Sequence, residues 1–176
     1  LEFHIQPMSA DKLGTVLHPF PGMTASVCHL RPQSRGHSHI SGTKASDEPI
    51  IDPRYLSDAY DREVACHAIQ KTRDLMDHPM LETFAPTEHK PGRTQNTDNE
   101  LIKAAGDVAT TIFHPVGTAK MGPQSDPMAV VSDRLEVHGS QNLYIADASV
   151  MPTITSGNTH APTVMIAERL AEWLTH

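Results

Sequence analysis

The sequence predicts a mixed fold in which antiparallel strands and separate helices share one chain. Leu1, Phe3 and Ile5 alternate with polar residues, which is the period of a half-buried strand. Residues 23–32 have the composition of a second strand and follow a loop rich in proline and glycine. These two segments should pair in an antiparallel sheet. Helical spacing appears in three later segments.

The first helix should begin after a capping side chain, either Ser57 or Asp58, and run to about Asp77. His78-Pro79 should stop it, because the residue before a proline avoids helical backbone angles. An apolar stripe recurs at helical spacing between these limits. The segment is therefore predicted to pack one face on a core.

Residues 85–98 are rich in proline, threonine, asparagine, glycine and charge, and they lack periodicity. They predict an exposed loop, and a surface excursion is favoured over a substrate lid. Helical spacing resumes from Asn99 to about Thr110 and again from Pro162 to about Leu174.

Three apolar segments between the last two helices predict strands, at residues 130–131, 135–137 and 143–146. The last of them is continuously apolar, which is typical of an interior strand in a parallel sheet covered on both faces. No strand-helix-strand unit precedes it in this chain, so its partners are expected elsewhere.

Composition indicates an ordinary globular chain of 176 residues with a formal net charge of −7. Its 14 basic residues are scattered, which argues against nucleic acid as a partner. No apolar stretch is long enough for a transmembrane segment. Cys28 and Cys66 fit neither a disulfide framework nor a zinc site, and two buried thiols suit a reducing, cytoplasmic compartment.

The 12 histidines are the one compositional oddity. On a strand, His37 and His39 would lie on one face, as a metal pair requires. Further ligands at a sensible spacing are lacking, since Glu48 and Asp52 occupy an unrelated turn-rich stretch. We therefore predict no metal site and solvent-facing histidines.

Three ordered motifs carry the functional information: residues 113–118 (Phe-His-Pro-Val-Gly-Thr), 147–152 (Asp-Ala-Ser-Val-Met-Pro) and 157–162 (Gly-Asn-Thr-His-Ala-Pro). Together they resemble the C-terminal part of the glucose-methanol-choline (GMC) family of FAD-dependent alcohol oxidoreductases. Ser34-Arg35-Gly36 and residues 49–56 resemble two further signatures of that family, in the same order.

The resemblance implies an α+β fold: an antiparallel sheet with flanking helices, followed by C-terminal strands and a helix that complete an FAD-binding domain. Residues 1–112 would belong to the substrate-binding domain, and residues 113–176 would carry the active-site histidine and the C-terminal part of the FAD-binding domain. The family's Gly-x-Gly-x-x-Gly phosphate loop is absent, because no two of the ten glycines are separated by one residue. We therefore expect an N-terminal FAD-binding half to be the missing partner of this chain.

His114 is the candidate general base. It precedes a proline, which biases its backbone to an extended conformation, and an imidazole can take up a proton near neutral pH. Gly117 permits a positive φ or a close approach of the main chain to a flat ligand. Without the resemblance, a histidine at a helix end with no catalytic role is the commoner interpretation.

Asn158 falls where the family carries its second active-site residue, a histidine in some members and an asparagine in others. An amide can orient a substrate oxygen but cannot exchange a proton at neutral pH. From the residues alone, Asn158 or Thr159 would be a helix cap, and that role is compatible with the other.

The resemblance also implies contacts to FAD in the intact enzyme. Asp147 and Ala148 follow the last apolar run, where the small residues Ala148 and Ser149 allow main-chain amides to face a pyrophosphate. Thr159, His160 and Ala161 lie at the start of the last helix, whose free N–H groups and partial positive charge suit an anionic reduced flavin. His160 departs from the asparagine or glutamine usual in the family, so only its main-chain contact is carried over.

The pattern resembles that of choline dehydrogenase-like members, which act on primary alcohols. Such an enzyme would remove the hydroxyl proton with His114 while a hydride passes to FAD. The alternative is a non-catalytic binding or scaffold domain whose histidines are incidental. A histidine-dependent metal hydrolase is a third possibility, and it lacks the ligand spacing.

Overall fold

The structure, a computed structural model, describes residues 1–11 and 14–175. Its contacts divide the chain into two compact units. The first comprises Leu1–Arg35 and Pro53–Thr111, and the second comprises Gly36–Asp52 and Ile112–His176. Small antiparallel sheets and helices occur in separate segments, which confirms the predicted α+β class.

The first unit opens with the predicted hairpin. Strand β1 (Glu2–Gln6) pairs antiparallel with β2 (Thr24–Cys28), and Glu2 lies opposite Cys28. The alternation of apolar residues identified the strand but not a fully buried face, since Ile5 is 50% exposed.

Two helices form the core of the first unit. Helix α1 (Ala59–Met76) begins at the cap Asp58, whose carboxylate accepts the Tyr60 N–H, and helix α2 (Asp98–Val108) begins at a capping box. Helix α1 ends one residue before the predicted limit, and a 3₁₀ turn at Pro79–Phe84 follows it. Their buried contact residues are mostly small, which allows close packing: Cys66, Ala68, Leu101, Ala104 and Ala105.

Asp61 ties α1 to the turn that follows β2. Its buried carboxylate accepts the N–H groups of Gln33 at 2.8 Å and Ser34 at 2.7 Å. The Ser34 hydroxyl in turn accepts the Asp58 N–H at 3.1 Å. Burial pushes the pKa of Asp61 upward, but these hydrogen bonds outweigh it and the pKa lies below its usual value. Burial also lowers the pKa of His29, whose Nδ1 lies 3.4 Å from the carboxylate.

We expect Asp61→Asn to destabilise the protein by about 1–3 kcal/mol at pH 7, because the buried side chain at position 61 loses its charge and one of the two main-chain N–H groups loses its acceptor. A carboxyl with a lowered folded pKa stabilises the fold above the unfolded pKa of about 4 and loses that contribution as the pH falls through the folded value. The difference between the two proteins should therefore shrink below about pH 4. Urea unfolding at pH 7 and pH 3 measures it.

The matched control is Asp74→Asn, because Asp74 pairs with Lys71 on the exposed face of the same helix. Its effect should stay below about 1 kcal/mol at both pH values. An Asp61→Asn protein as stable as the parent at pH 7 would contradict the assigned role.

The second unit contains one hairpin and one long helix. Strand β3 (His37–His39) pairs antiparallel with β4 (Ile50–Asp52). The rings of His37 and His39 lie 4.9 Å apart, and His37 Nδ1 is 3.9 Å from the Asp52 carboxylate. Within residues 1–11 and 14–175, no three histidine, cysteine, aspartate or glutamate side chains are arranged to hold a metal ion.

Helix α3 (His160–Thr175) packs on the core of the second unit. Two of its side chains are buried against four residues that precede it. The core residues are Val131, Leu135, Val150, Met151, Ile166 and Leu170.

The prediction of regular strands between residues 130 and 146 is wrong, because the structure has only isolated bridges there. Val131 bridges Met121 in the parallel sense and Val137 in the antiparallel sense, and Tyr144 bridges Glu136 antiparallel. Leu143 is 52% exposed, so the apolar run is not buried on both faces. A short apolar run indicates that some of its side chains are buried. It does not determine whether the segment pairs as a regular strand with a neighbouring segment.

The two cysteines are free thiols, with Cys66 buried and Cys28 half-buried, and burial raises the pKa of both. Among the described helices, none combines the length and the hydropathy that crossing a bilayer requires.

Candidate active site

His114 lies in an irregular segment that follows α2. The helix ends at Val108, two residues before its predicted end, and the chain reaches Phe113 with a φ of 62°. Such a left-handed conformation is uncommon outside glycine and reverses the chain direction locally. His114 itself is half-buried, while the Phe113 side chain is 66% exposed. The imidazole is thus held on a constrained backbone without being sealed from a ligand.

Gly117 has the positive φ that its position predicted, at 87°. A Cβ atom there would lie 3.3 Å from the main-chain oxygen of Met151. The close approach in this structure is therefore to protein backbone. Any other residue at this position would meet both an unfavourable φ and a tight contact.

Main-chain hydrogen bonds join the segment directly after the His114 motif, residues 119–121, to the Asp147 motif. The Ala119 N–H donates to the Ser149 carbonyl at 3.0 Å, and the Met121 N–H donates to the Val150 carbonyl at 2.8 Å. Val150 is fully buried, which anchors the pair of segments to the core. Sequence reasoning missed this link, since main-chain groups leave no signature in residue types.

Asp147 caps a 3₁₀ turn at Ala148–Val150. Its carboxylate accepts the Ser149 N–H at 2.8 Å, and its carbonyl accepts the Val150 N–H at 3.3 Å. The Met151 N–H donates to the Ala148 carbonyl at 3.2 Å. Three amides of the turn are thus engaged within it, including the Ser149 amide that we expected to face a pyrophosphate. Ala148 is the residue of the turn that remains for such a contact.

Helix α3 begins at His160, two residues before the predicted start at Pro162. Thr159 is buried, and its carbonyl accepts both the N–H and the hydroxyl of Thr163, at 3.0 and 2.7 Å. Because Pro162 has no N–H, the remaining donors of the first turn belong to His160 and Ala161. Both residues are exposed. They give the helix start two N–H groups without a carbonyl partner in the helix, at the end that carries its partial positive charge.

Asn158 immediately precedes this helix and is exposed. Three residues earlier, the Thr155 hydroxyl oxygen is buried and has no hydrogen-bond partner among the described residues. Buried polar atoms in folded proteins nearly always have a partner, so this hydroxyl has unused hydrogen-bonding capacity. The sequence offered only a threonine in an apolar context as a signal for it.

All seven predicted site residues belong to the second unit. Main-chain hydrogen bonds join residues 119–121, directly after the first motif, to the second motif. The third motif is anchored through Ile166 and Leu170, which share a core with Val150 and Met151. One packed core thus positions a half-buried imidazole, an exposed amide and a helix start with free donors.

A fold of this class with these three motifs has a known counterpart. The sequence profile described as GMC oxidoreductase matches residues 32–167. The chain belongs to the GMC oxidoreductase family.

Named relatives narrow the comparison. The chain is 39% identical over 172 residues to an alcohol dehydrogenase [acceptor] of Pseudomonas putida, covering 98% of this chain and 31% of that protein. It is 38% identical to an oxygen-dependent choline dehydrogenase of Citrobacter koseri, covering 98% of this chain and 30% of that protein. The chain thus spans about a third of the length of these relatives.

Among solved structures, the chain resembles an FAD-dependent oxidoreductase from Chaetomium thermophilum. The TM-score is 0.77 at 35% identity, and the match covers 82% of this chain and 25% of that chain.

Proposed function

We propose that this chain is the C-terminal part of an FAD-dependent alcohol oxidoreductase that oxidises a primary alcohol to an aldehyde, with His114 as the general base. The observation that carries the proposal is the grouping of the His114, Asp147 and Asn158 motifs on one core. Family membership and the names of the relatives support the reaction class. Coverage of about a third of those relatives supports a missing N-terminal half.

His114 removes the hydroxyl proton of the alcohol in this proposal. A ring nitrogen of the neutral imidazole accepts the proton, and the stiff segment between Phe113 and Pro115 holds the ring in place. Half-burial suits this role, because it limits water around the base while leaving a face for substrate.

Asn158 orients the substrate oxygen. Its amide N–H groups can donate to that oxygen both before and after the alcohol loses its proton, since the amide itself does not titrate at neutral pH. His114 is then the single proton acceptor of the pair. The orienting bond strengthens as negative charge develops on the oxygen.

FAD is the cofactor that these residues fit. The N–H groups of His160 and Ala161, at the positive end of α3, suit an electron-rich ligand with polar edges. We assign the cofactor contacts to Asp147, Ala148, Thr159, His160 and Ala161. Thr159 contributes through its main-chain atoms. When bound, FAD supplies the acceptor for the hydride that leaves the alcohol carbon.

The two parts of the chain then have different tasks. Residues 1–112 contribute to the substrate-binding domain, and residues 113–176 complete the FAD-binding domain. The missing N-terminal half supplies the phosphate loop, which this chain lacks.

This division predicts that the 176-residue chain alone purifies colourless and does not reduce a dye in the presence of alcohol. The complete protein should carry a flavin absorbance that bleaches when a primary alcohol is added without oxygen. Absorbance spectra of both preparations decide the matter.

Stoichiometric FAD on the chain alone would overturn the assignment of the phosphate loop to a missing half. A complete protein that binds no flavin would favour the binding or scaffold alternative.

A further inference from the structure

Residues 88–95, which we call the strap, connect the 3₁₀ turn to the cap of α2. Their composition predicted an exposed loop. In the structure, however, the Glu88 side chain is only 13% exposed, and it faces the Arg73 side chain of α1, which is 14% exposed. A charged residue of a surface loop is therefore largely withdrawn from water.

Arg73 holds the strap at both ends. Its Nε and Nη2 donate to the two Glu88 carboxylate oxygens, each at 2.9 Å, in a bidentate pair. Its Nη1 donates to the Gln95 carbonyl at 2.9 Å, and its Nη2 also donates to the Gly92 carbonyl at 3.1 Å. The Gly92 N–H donates to a Glu88 carboxylate oxygen at 3.1 Å. The Arg73 guanidinium therefore contacts the strap at its beginning, middle and end.

Further contacts fix the outer side of the strap. Arg93 donates to both carboxylate oxygens of Asp77, at 2.8 and 2.5 Å. This hydrogen bonding lowers the pKa of Asp77. The His89 ring lies 5.0 Å from the His18 ring and 5.1 Å from the Phe20 ring. The strap is thus held by α1 and by the connection between β1 and β2.

We propose that the strap is a rigid segment that holds the start of α2 against α1, and that it does not open as a lid. Opening it would separate a largely buried ion pair and leave a charge without its partner, which costs far more than breaking an exposed pair. The strap leads directly into the α2 capping box, where Glu100 accepts the N–H groups of Asn96 and Thr97 at 3.0 and 2.9 Å. Arg73 is therefore a positioning residue for the beginning of α2, independent of the flavin chemistry proposed above.

Trypsin provides a direct test, because the bond after Arg93 lies inside the strap and the bond after Lys90 is protected by the following proline. In the intact protein, cleavage after Arg93 should be slow. Arg73→Lys keeps the positive charge but cannot form the bidentate pair with the Glu88 carboxylate. Glu88→Gln keeps the shape of the side chain but removes its negative charge. Both should accelerate that cleavage by about tenfold or more. Lys71→Gln, which removes an exposed pair on the same helix, should leave the rate unchanged.

Hydrogen exchange supplies a second measurement that needs no protease. The Gly92 and Gln95 amides should be protected in the parent, and they should exchange about tenfold faster in Glu88→Gln. The Arg62 amide, which donates to the Asp58 carbonyl at 3.3 Å at the opposite end of α1 from Arg73, serves as the reference.

Three results would overturn the proposal. One is rapid cleavage after Arg93 in the parent. Another is an unchanged rate in both variants. The last is equal acceleration at the Lys103–Ala104 bond inside α2, because the variants would then loosen the helices instead of the strap.

Discussion

Replacing His114 by alanine in the complete enzyme should slow flavin reduction by a primary alcohol by about two to four powers of ten, the usual contribution of a general base. Without the imidazole, the hydroxyl proton has no acceptor of suitable basicity, because Asn158 cannot take it. Rapid mixing under anaerobic conditions measures the flavin reduction step separately from product release.

The matched control is His67→Ala, which removes an exposed histidine from α1 and should leave the reduction rate unchanged. Flavin content and unfolding midpoint should match the parent in both variants. If His114→Ala reduces its flavin as fast as the parent at neutral pH, the base lies elsewhere and the proposed mechanism is wrong.

Asn158→Ala should have the next largest effect on the reaction. Loss of an orienting hydrogen bond in a dry site costs about 1–3 kcal/mol, which corresponds to a rate loss of about 5- to 150-fold. The helix start should survive the change, since the Thr159 carbonyl accepts the first hydrogen bonds of α3. The loss should therefore appear in the reduction rate with little change in protein stability.

Asn158→His serves as the comparison, because the family resemblance implies histidine at this position in some members and the ring restores a hydrogen-bond donor. It should keep substantial activity. The orienting role would be refuted by an Asn158→Ala enzyme with the parental reduction rate, or by an Asn158→His enzyme no faster than Asn158→Ala.

Local chemistry explains why some elements were predictable. Helix α1 was located to within a residue because the Asp58 cap and the His78-Pro79 stop act on the backbone nearby. Helix α3 started earlier than predicted because a proline is tolerated throughout the first turn, so Pro162 marks that turn without marking its first residue.

Elements that depend on distant partners were not predictable in the same way. The apolar run at residues 143–146 indicated burial, but regular pairing depends on which neighbours the chain brings alongside it. Arg73 and Glu88 carry no pattern that pairs them, since their contact depends on the path of the intervening loop.

The same distinction between local residue types and distant contacts applies to the candidate site. Its residue types were evident from three short motifs, and the assignment of His114 and Asn158 to roles remains a prediction. The partnerless Thr155 hydroxyl and the engaged Ser149 amide depend on atomic positions that residue types do not encode.

The link between residues 119–121 and 149–150 has a consequence for protein engineering. Because it consists only of N–H and carbonyl groups, it tolerates a change of side chain at Ala119 or Ser149. Side chains other than proline can therefore be exchanged at these two positions while the loop bearing the proposed base keeps its attachment. Position 117 should keep its glycine, since its backbone angle and the neighbouring Met151 carbonyl both disfavour a side chain.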